Sequence, residues 1–254
     1  YLIFASTATS SPQKKSNPQP LLQRESEPGA SDNIEQILRL NSQGVALMEQ
    51  LKFEEASAKF REIVQLDNGF APGHVNLGIA HFNLQNYEHS LHSLERAIKI
   101  DRDQIRAHYV RGLIYRNQDR PETAAREFEA VIKQDREDPS TNYYLGLLSS
   151  RRRNYEKAIE YLTQVIEKEP YNASAHYNLA IVLLRSGRRA EGEKEMGEFR
   201  RLQGLFGSTT IGLQYLEQGR YAAAIDRIPE RYLPELDQSQ SVEPPSVIFT
   251  EVRT

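Results

Sequence analysis

Apolar residues recur at helical spacings over most of this chain. From Ile34 to about Tyr232 they define one helix after another, and short polar turns separate the helices. The turns contain residues that form turns or start helices, among them Asn86, Pro121 and Gly187. The pattern predicts an all-α chain of consecutive short helices.

A repeat of 34 residues runs through this helical region. Each copy has a small residue, a second small residue twelve positions later, and a large apolar residue four positions further on. The three columns are Gly44, Gly78, Gly112, Gly146 and Ala180; Ala56, Ser90, Ala124, Ala158 and Gly192; and Phe60, Leu94, Phe128, Leu162 and Met196. Because only a small side chain lets two backbones approach closely, we expect the glycines to lie where the two helices of one unit cross.

The columns resemble the tetratricopeptide repeat, a 34-residue helix–turn–helix unit with spaced Leu-Gly, Tyr, Ala, Phe and Pro positions. The match covers about Ile37 to Ile228, in copies that begin near Ile37, Ala71, Ile105, Pro139, Ala173 and Leu205. The sixth copy carries Gly212, Tyr215, Tyr221 and Ala224 at the matching offsets, and the place of the family's tryptophan is taken by His74, His108, Asn142 and His176. The resemblance implies a right-handed α-solenoid of about six units, in which stacking of the units supplies the core.

The two ends differ in composition from this region. Residues 1–32 contain Pro12, Pro18, Pro20 and Pro28 among many Ser, Gln and Asn residues, which predicts a disordered linker or the remnant of a signal or anchor. We expect the superhelix over 33–232 and an extended tail over 233–254. The last eleven residues weakly resemble the first strand of an FG-GAP/VCBS-type β-propeller, and a β-extension or a flexible tail is the alternative.

The resemblance also predicts where a partner binds, because in this family the first helix of each unit lines the concave groove. Transferred by register, the partner-binding candidates are Asn76, Asn83, Tyr109, Arg116, Asn117, Tyr143, Arg151, Tyr177, Asn178 and Arg185. Tyrosine offers contact area at low entropic cost and arginine pairs with carboxylates, so the set suggests an extended, partly acidic ligand. The alternative is that the tyrosines pack between first helices and that the arginines are simply solvated.

Composition narrows the function classes. The net charge of −3 argues against nucleic acid, and the absence of cysteine excludes disulfides and zinc–thiolate sites. The histidines recur with the repeat, which favours packing over metal binding. Since no catalytic or phosphate-binding motif is present, we expect a protein that is not an enzyme, that needs no cofactor or metal, and that has no transmembrane span in this chain.

These observations predict a protein-interaction scaffold whose concave groove holds a protein or peptide. We expect it to be a subunit of a larger hetero-complex that is periplasmic or secreted, with a membrane-anchored form or a cytoplasmic location as the alternatives. The second hypothesis is the N-terminal arm of a longer secreted propeller protein that binds carbohydrate or surface ligands. An enzyme with an unrecognised site is a third, which no group of residues supports.

Overall fold

The computed structural model describes residues 30–203, 211–212 and 214–233, with side chains from residue 33 onward. Ten α-helices form five antiparallel pairs in this part of the chain. They are α1 (Ala30–Glu49), α2 (Phe53–Leu66), α3 (Ala71–Asn83), α4 (Tyr87–Ile100), α5 (Ile105–Asn117), α6 (Pro121–Gln134), α7 (Pro139–Arg151), α8 (Tyr155–Lys168), α9 (Ala173–Arg185) and α10 (Arg189–Gln203). The predicted all-α solenoid of tetratricopeptide-type units is confirmed.

The glycines of the first small column lie at the helix crossings, as the repeat predicts. A Cβ atom built on Gly112 would lie 2.7 Å from Phe128 Cε1, and one on Gly146 would lie 2.8 Å from Leu162 Cγ. Phe128 and Leu162 are themselves fully buried. The large residue of the second helix therefore rests directly on the glycine of the first helix in the same unit.

The positions of the missing tryptophans hold polar side chains that brace each unit. His108 Nδ1 lies 2.8 Å from Glu127 Oε2, and His176 Nδ1 lies 2.7 Å from Glu195 Oε2, one pair in each of two units. Asn142 instead donates to the carbonyls of Arg136 and Asp138. Among the described residues no group of three or more histidines and carboxylates could hold a metal ion.

The turn after the first helix of each of the five described units contains one residue in the left-handed backbone conformation. Leu51, Gln85, Asp119, Arg153 and Gly187 all have positive φ angles, at one repeat spacing. In the first unit, Leu51 N–H donates to Met48 O and Lys52 N–H donates to Leu47 O, the pair of bonds that closes a Schellman motif. Gly187 is the one glycine among the five, so four units hold an L side chain in a conformation that favours glycine.

The sixth predicted helix pair is wrong for the residues described. Residues 214–233 contain only two 3-10 turns, Arg220–Ala222 and Glu230–Tyr232. Gly219 has φ +102°, and Pro229 would fall inside the second helix of that copy, where it would remove a helical hydrogen bond. The first helix also begins at Ala30, before the predicted boundary at residue 33. The remaining predicted tail residues lie outside those described.

The crossing contact predicts that Gly112→Ala destabilises the fold by about 1–3 kcal/mol, because the new methyl group would overlap the buried Phe128 ring. Gly197→Ala is the matched control. Gly197 lies exposed in α10 with nothing near its Cβ position, so the change should stabilise the helix by about 0.5–1 kcal/mol. Thermal or urea unfolding measures both. Two shifts of the same sign would contradict the assignment of Gly112 to a crossing.

The left-handed turn predicts that Leu51→Gly raises the free energy of unfolding by about 1 kcal/mol, or Tm by about 2–4 °C, since glycine relieves the positive φ. Leu51→Ala separates this effect from the loss of an exposed side chain and should not give the gain. The reverse change, Gly187→Leu, should lower Tm. A Leu51→Gly variant no more stable than Leu51→Ala would show that the turn carries no strain.

Candidate functional site

The face lined by the first helices is occupied by the chain itself. Residues 214–233, called the C-terminal segment below, contact the first helices of four successive units, α1, α3, α5 and α7. Some of these contacts join helix side chains to the backbone of the segment, and others join side chains of the preceding loops to its side chains. This arrangement shows which groove residues can hold an extended chain.

Asn76 holds the segment at Ile225. Its Nδ2 donates to Ile225 O at 3.0 Å, and its Oδ1 accepts from Ile225 N–H at 2.6 Å, so one amide satisfies both backbone groups of one residue. Asn41 donates to the same carbonyl at 2.9 Å, and its own Oδ1 accepts from Asn76. Both asparagines are buried, and an unpaired amide there would be unfavourable. The predicted groove residue Asn76 is thus a backbone clamp.

Tyr109 and Arg106 hold the middle of the segment. The Tyr109 hydroxyl donates to Gln218 O, and the Arg106 guanidinium donates to the carbonyls of Arg220 and Ala223 at 2.6 and 2.7 Å. Burial, with a smaller effect of the neighbouring Tyr144, raises the pKa of Tyr109 well above its ordinary value, so the hydroxyl remains a donor. Gly219 passes so close to Tyr109 and Ser140 that a side chain at this position would overlap both.

Carboxylates in the loops before α5 and α7 bind the side chains of the segment. Arg220 pairs with Asp135 and with Asp138, the latter at 3.0 Å from Nε, and Tyr221 Oη donates to Asp135 at 2.6 Å. Asp138 is buried and also caps α7, where it accepts from the Thr141 backbone N–H. These carboxylates therefore present negative charge to the Arg220 side chain of the segment.

A second cluster of the same kind fixes the end of the segment. Tyr232 donates to Asp101, Gln104 donates to the Tyr232 hydroxyl at 2.5 Å, and Arg231 pairs with Asp101 at 2.8 Å. Burial, then the bond to Asp101, raises the pKa of Tyr232 to about 12. Burial acts to raise the pKa of Asp101, but bonds from Tyr232, Asp103 and Gln104 outweigh it and lower the pKa. Tyr232 is therefore neutral and Asp101 charged near neutral pH.

The candidates of the last two units line a cleft. Tyr143 is nearly buried, and its hydroxyl accepts from Asn178 Nδ2 at 3.0 Å. Tyr177 is 42% exposed and packs against the Phe199 ring at 5.1 Å. Together with Ser174 these side chains border a cleft of about 500 Å³ among the described residues. Of the three candidate tyrosines, Tyr109 and Tyr143 are thus packed and Tyr177 is accessible.

The other candidates lie at the ends of first helices and make local contacts. Asn83 donates to Ile79 O in its own helix, and Arg116 lies over the Tyr144 ring at 4.5 Å and donates to Asn117. Arg151 pairs with Asp119 of the preceding turn at 2.5 Å, and Arg185 is exposed. None of these residues contacts the segment through a described bond, and their partner-binding role stays a prediction.

The described ion pairs of the segment join its Arg220 and Arg231 to groove carboxylates, although residues 214–233 contain three acidic and three basic side chains. The partly acidic character predicted for an external ligand stays a prediction. The sequence did contain a signal for this arrangement: acidic residues close the second helices at the repeat spacing, including Asp101 and Asp135. Arg106, Ser140 and Asp138 were not candidates. Their roles depend on a segment that lies between 79 and 117 residues further along the chain.

The clamp predicts that Asn76→Ala weakens docking of the C-terminal segment by about 1–3 kcal/mol, since both Ile225 backbone groups lose a partner. Backbone hydrogen exchange over 214–233 should then be roughly 5- to 150-fold faster if exchange there follows undocking.

Asn83→Ala provides the control on the same helix, because among the described residues the Asn83 side chain bonds to Ile79 O within α3. Backbone hydrogen exchange over 214–233 in Asn83→Ala should match that of the unmodified chain. Unchanged protection in Asn76→Ala would mean that other contacts hold the segment.

Comparison with known proteins agrees with this architecture. Two tetratricopeptide-repeat family models match, one at residues 75–140 and 109–161 and another at 151–198. No curated protein matches the sequence significantly.

Among solved structures, MamA (residues 41 to the end) from Desulfovibrio magneticus RS-1 is 19% identical, with a TM-score of 0.60 over 66% of this chain and 96% of that one. PilF of Pseudomonas aeruginosa is 18% identical, with a TM-score of 0.61 over 69% and 80%. YrrB, described as a TPR protein with an unusual peptide-binding site, is 17% identical, with a TM-score of 0.57 over 68% and 89%. At these identities the similarity establishes the fold alone. The family models and the 34-residue register show that residues 75–198 consist of tetratricopeptide repeats, and the α1–α2 pair that precedes them has the same fold.

Proposed function

We propose that this protein is a non-catalytic scaffold that holds an extended segment of a partner protein in the groove of its first helices. The observation that carries the proposal is the seating of residues 214–233, whose backbone is bound by Asn76, Arg106 and Tyr109. Side chains that bind backbone groups recognise an extended chain as such, whatever its origin. The peptide-binding site named for YrrB supports the same use of the fold.

The proposal extends to membership of a larger complex. Scaffolds of repeated helix pairs present a long continuous surface, which suits assembly with other proteins. No helix among the described residues is long and apolar enough to cross a membrane. The predicted periplasmic or secreted location depends on a signal or anchor remnant in residues 1–32, of which 1–29 lie outside those described, and it stays a prediction. The propeller alternative concerns the last eleven residues, which neither family model reaches.

The groove predicts that Tyr177→Ala lowers affinity for a captured partner about tenfold or more, because exposed tyrosines in a cleft often dominate binding energy. Tyr177 is the suitable position, since Tyr143 is nearly buried and its loss would also disturb packing. The full chain is used to capture proteins from its native source. Mass spectrometry identifies the partner, and a titration measures both chains.

Tyr171→Ala is the matched control, because Tyr171 is equally a tyrosine, is 60% exposed, and lies in the turn before α9 outside the cleft. Circular dichroism should give the same Tm for both variants. A partner that binds Tyr177→Ala normally but loses affinity for Tyr171→Ala would place the interaction outside the groove.

A further inference from the structure

The C-terminal segment has the properties of a bound ligand. It crosses four repeat units, contains no α-helix among its described residues, and is held by side chains that would otherwise face an open groove. A repeat unit would instead contact only its neighbour. The residues that fit this groove can therefore be determined from the segment that occupies it.

The groove has an arginine site. Arg220 directs Nε to Asp138 and Nη2 to Asp135, so one planar guanidinium meets two carboxylates. Asp138 is almost completely buried and its side chain is fixed by two bonds from Thr141, at 2.8 Å from the backbone N–H and 2.6 Å from Oγ1. A lysine has one ammonium group and cannot reproduce this fork, which makes the site selective for arginine.

A tyrosine site adjoins it. The Tyr221 ring lies 5.9 Å from the Tyr109 ring in an edge-on arrangement, and the Arg106 guanidinium lies 5.9 Å from the Tyr221 centroid. The Tyr221 hydroxyl donates to Asp135, which also binds Arg220. Because one carboxylate serves both side chains, the groove favours arginine and tyrosine as adjacent residues.

The remaining positions demand small side chains and an aliphatic end. Ala222 and Ala224 are 2% and 6% exposed, and Ile225 is buried beneath the Asn76 clamp. Arg106 donates to the carbonyls of Arg220 and Ala223, and these two bonds require the segment backbone to lie close to α5. Larger residues at 222 and 224 would push the backbone away from these donors.

We propose, building on the proposed function, that the groove recognises a partner segment in which Arg-Tyr is followed by a small residue, any residue, a second small residue and an aliphatic residue, and that residues 214–233 occupy this site until such a segment displaces them. A tethered segment competes at a high effective concentration, so it lowers the apparent affinity for any external ligand by the fraction of grooves left open. Only a partner segment with high affinity for the groove therefore displaces the internal segment.

The test uses the full chain and a fluorescent peptide of residues 217–227, Glu-Gln-Gly-Arg-Tyr-Ala-Ala-Ala-Ile-Asp-Arg. The chain carrying Arg220→Ala and Tyr221→Ala has a weakened internal segment and an intact groove wall. By fluorescence anisotropy we expect it to bind the peptide at least tenfold more tightly than the unmodified chain does. A peptide with lysine in place of its arginine should bind this variant at least about fivefold more weakly.

A second substitution locates the binding. The variant with Arg220→Ala and Tyr221→Ala is called the released chain. Adding Asp135→Asn to the released chain should weaken peptide binding about tenfold. Adding Asp119→Asn instead should not, because Asp119 pairs with Arg151 outside the segment. Asp135 is at the surface of its loop and its side chain is partly exposed, so the fold should tolerate the change.

Three results would overturn the proposal. The first is a released chain that binds the peptide no better than the unmodified chain, and the second is binding that is insensitive to Asp135→Asn. The third is an unmodified chain that dimerises through Asp135, because the external occupant would then be a second copy. A partner captured through Tyr177 that lacks such a segment would leave the proposed function intact and refute only this ligand chemistry.

Discussion

Contact between a glycine of the first helix and a large apolar residue of the second sets the geometry of every unit up to the fourth. At Gly44, Gly78, Gly112 and Gly146 the facing side chain occupies the space that a Cβ atom would need. This contact fixes the distance between the paired helices and so fixes which residues of the first helix face outward. Asn76 lies two residues from Gly78, on the opposite side of α3 from the crossing, whereas the Tyr109 ring packs against Phe128 and only its hydroxyl bonds to the segment. The binding face is thus a consequence of packing inside the unit.

The groove combines two kinds of recognition with different physical origins. Asn76, Asn41 and Arg106 satisfy backbone groups, so their contribution depends little on the sequence of the occupant. Asp135 and Asp138 bind charged and phenolic groups, and these contacts distinguish one sequence from another. Charge-assisted bonds are stronger than neutral ones and lose more when the geometry is wrong. Affinity and selectivity are consequently carried by separate sets of residues.

The repeat register was predictable because it depends on local periodicity and on residue size. That register located Asn76 and Tyr109 on the inner face and Gly112 at a crossing. The structure of the sixth unit was not predictable in this way. Tyr215, Tyr221 and Ala224 match the repeat columns, but Gly219 and Pro229 break the helices that those columns imply. Pairing of Arg220 with Asp138 depends on chain folding over a long sequence separation, which periodicity does not encode. The arginines at first-helix ends could not be distinguished from solvated ones, because their local partners lie in neighbouring turns.

The crossing of four units by one segment has a mechanical consequence. Stacked repeats form an elastic coil, in which small rotations between neighbours add up to large changes in pitch. A segment bound at Asn41, Asn76, Tyr109 and Asp138 links four successive units and so restrains their rotation relative to one another. While the segment is docked, the units would move together. Without the docked segment each junction between units could bend independently, and a bound partner would then set the curvature of the superhelix.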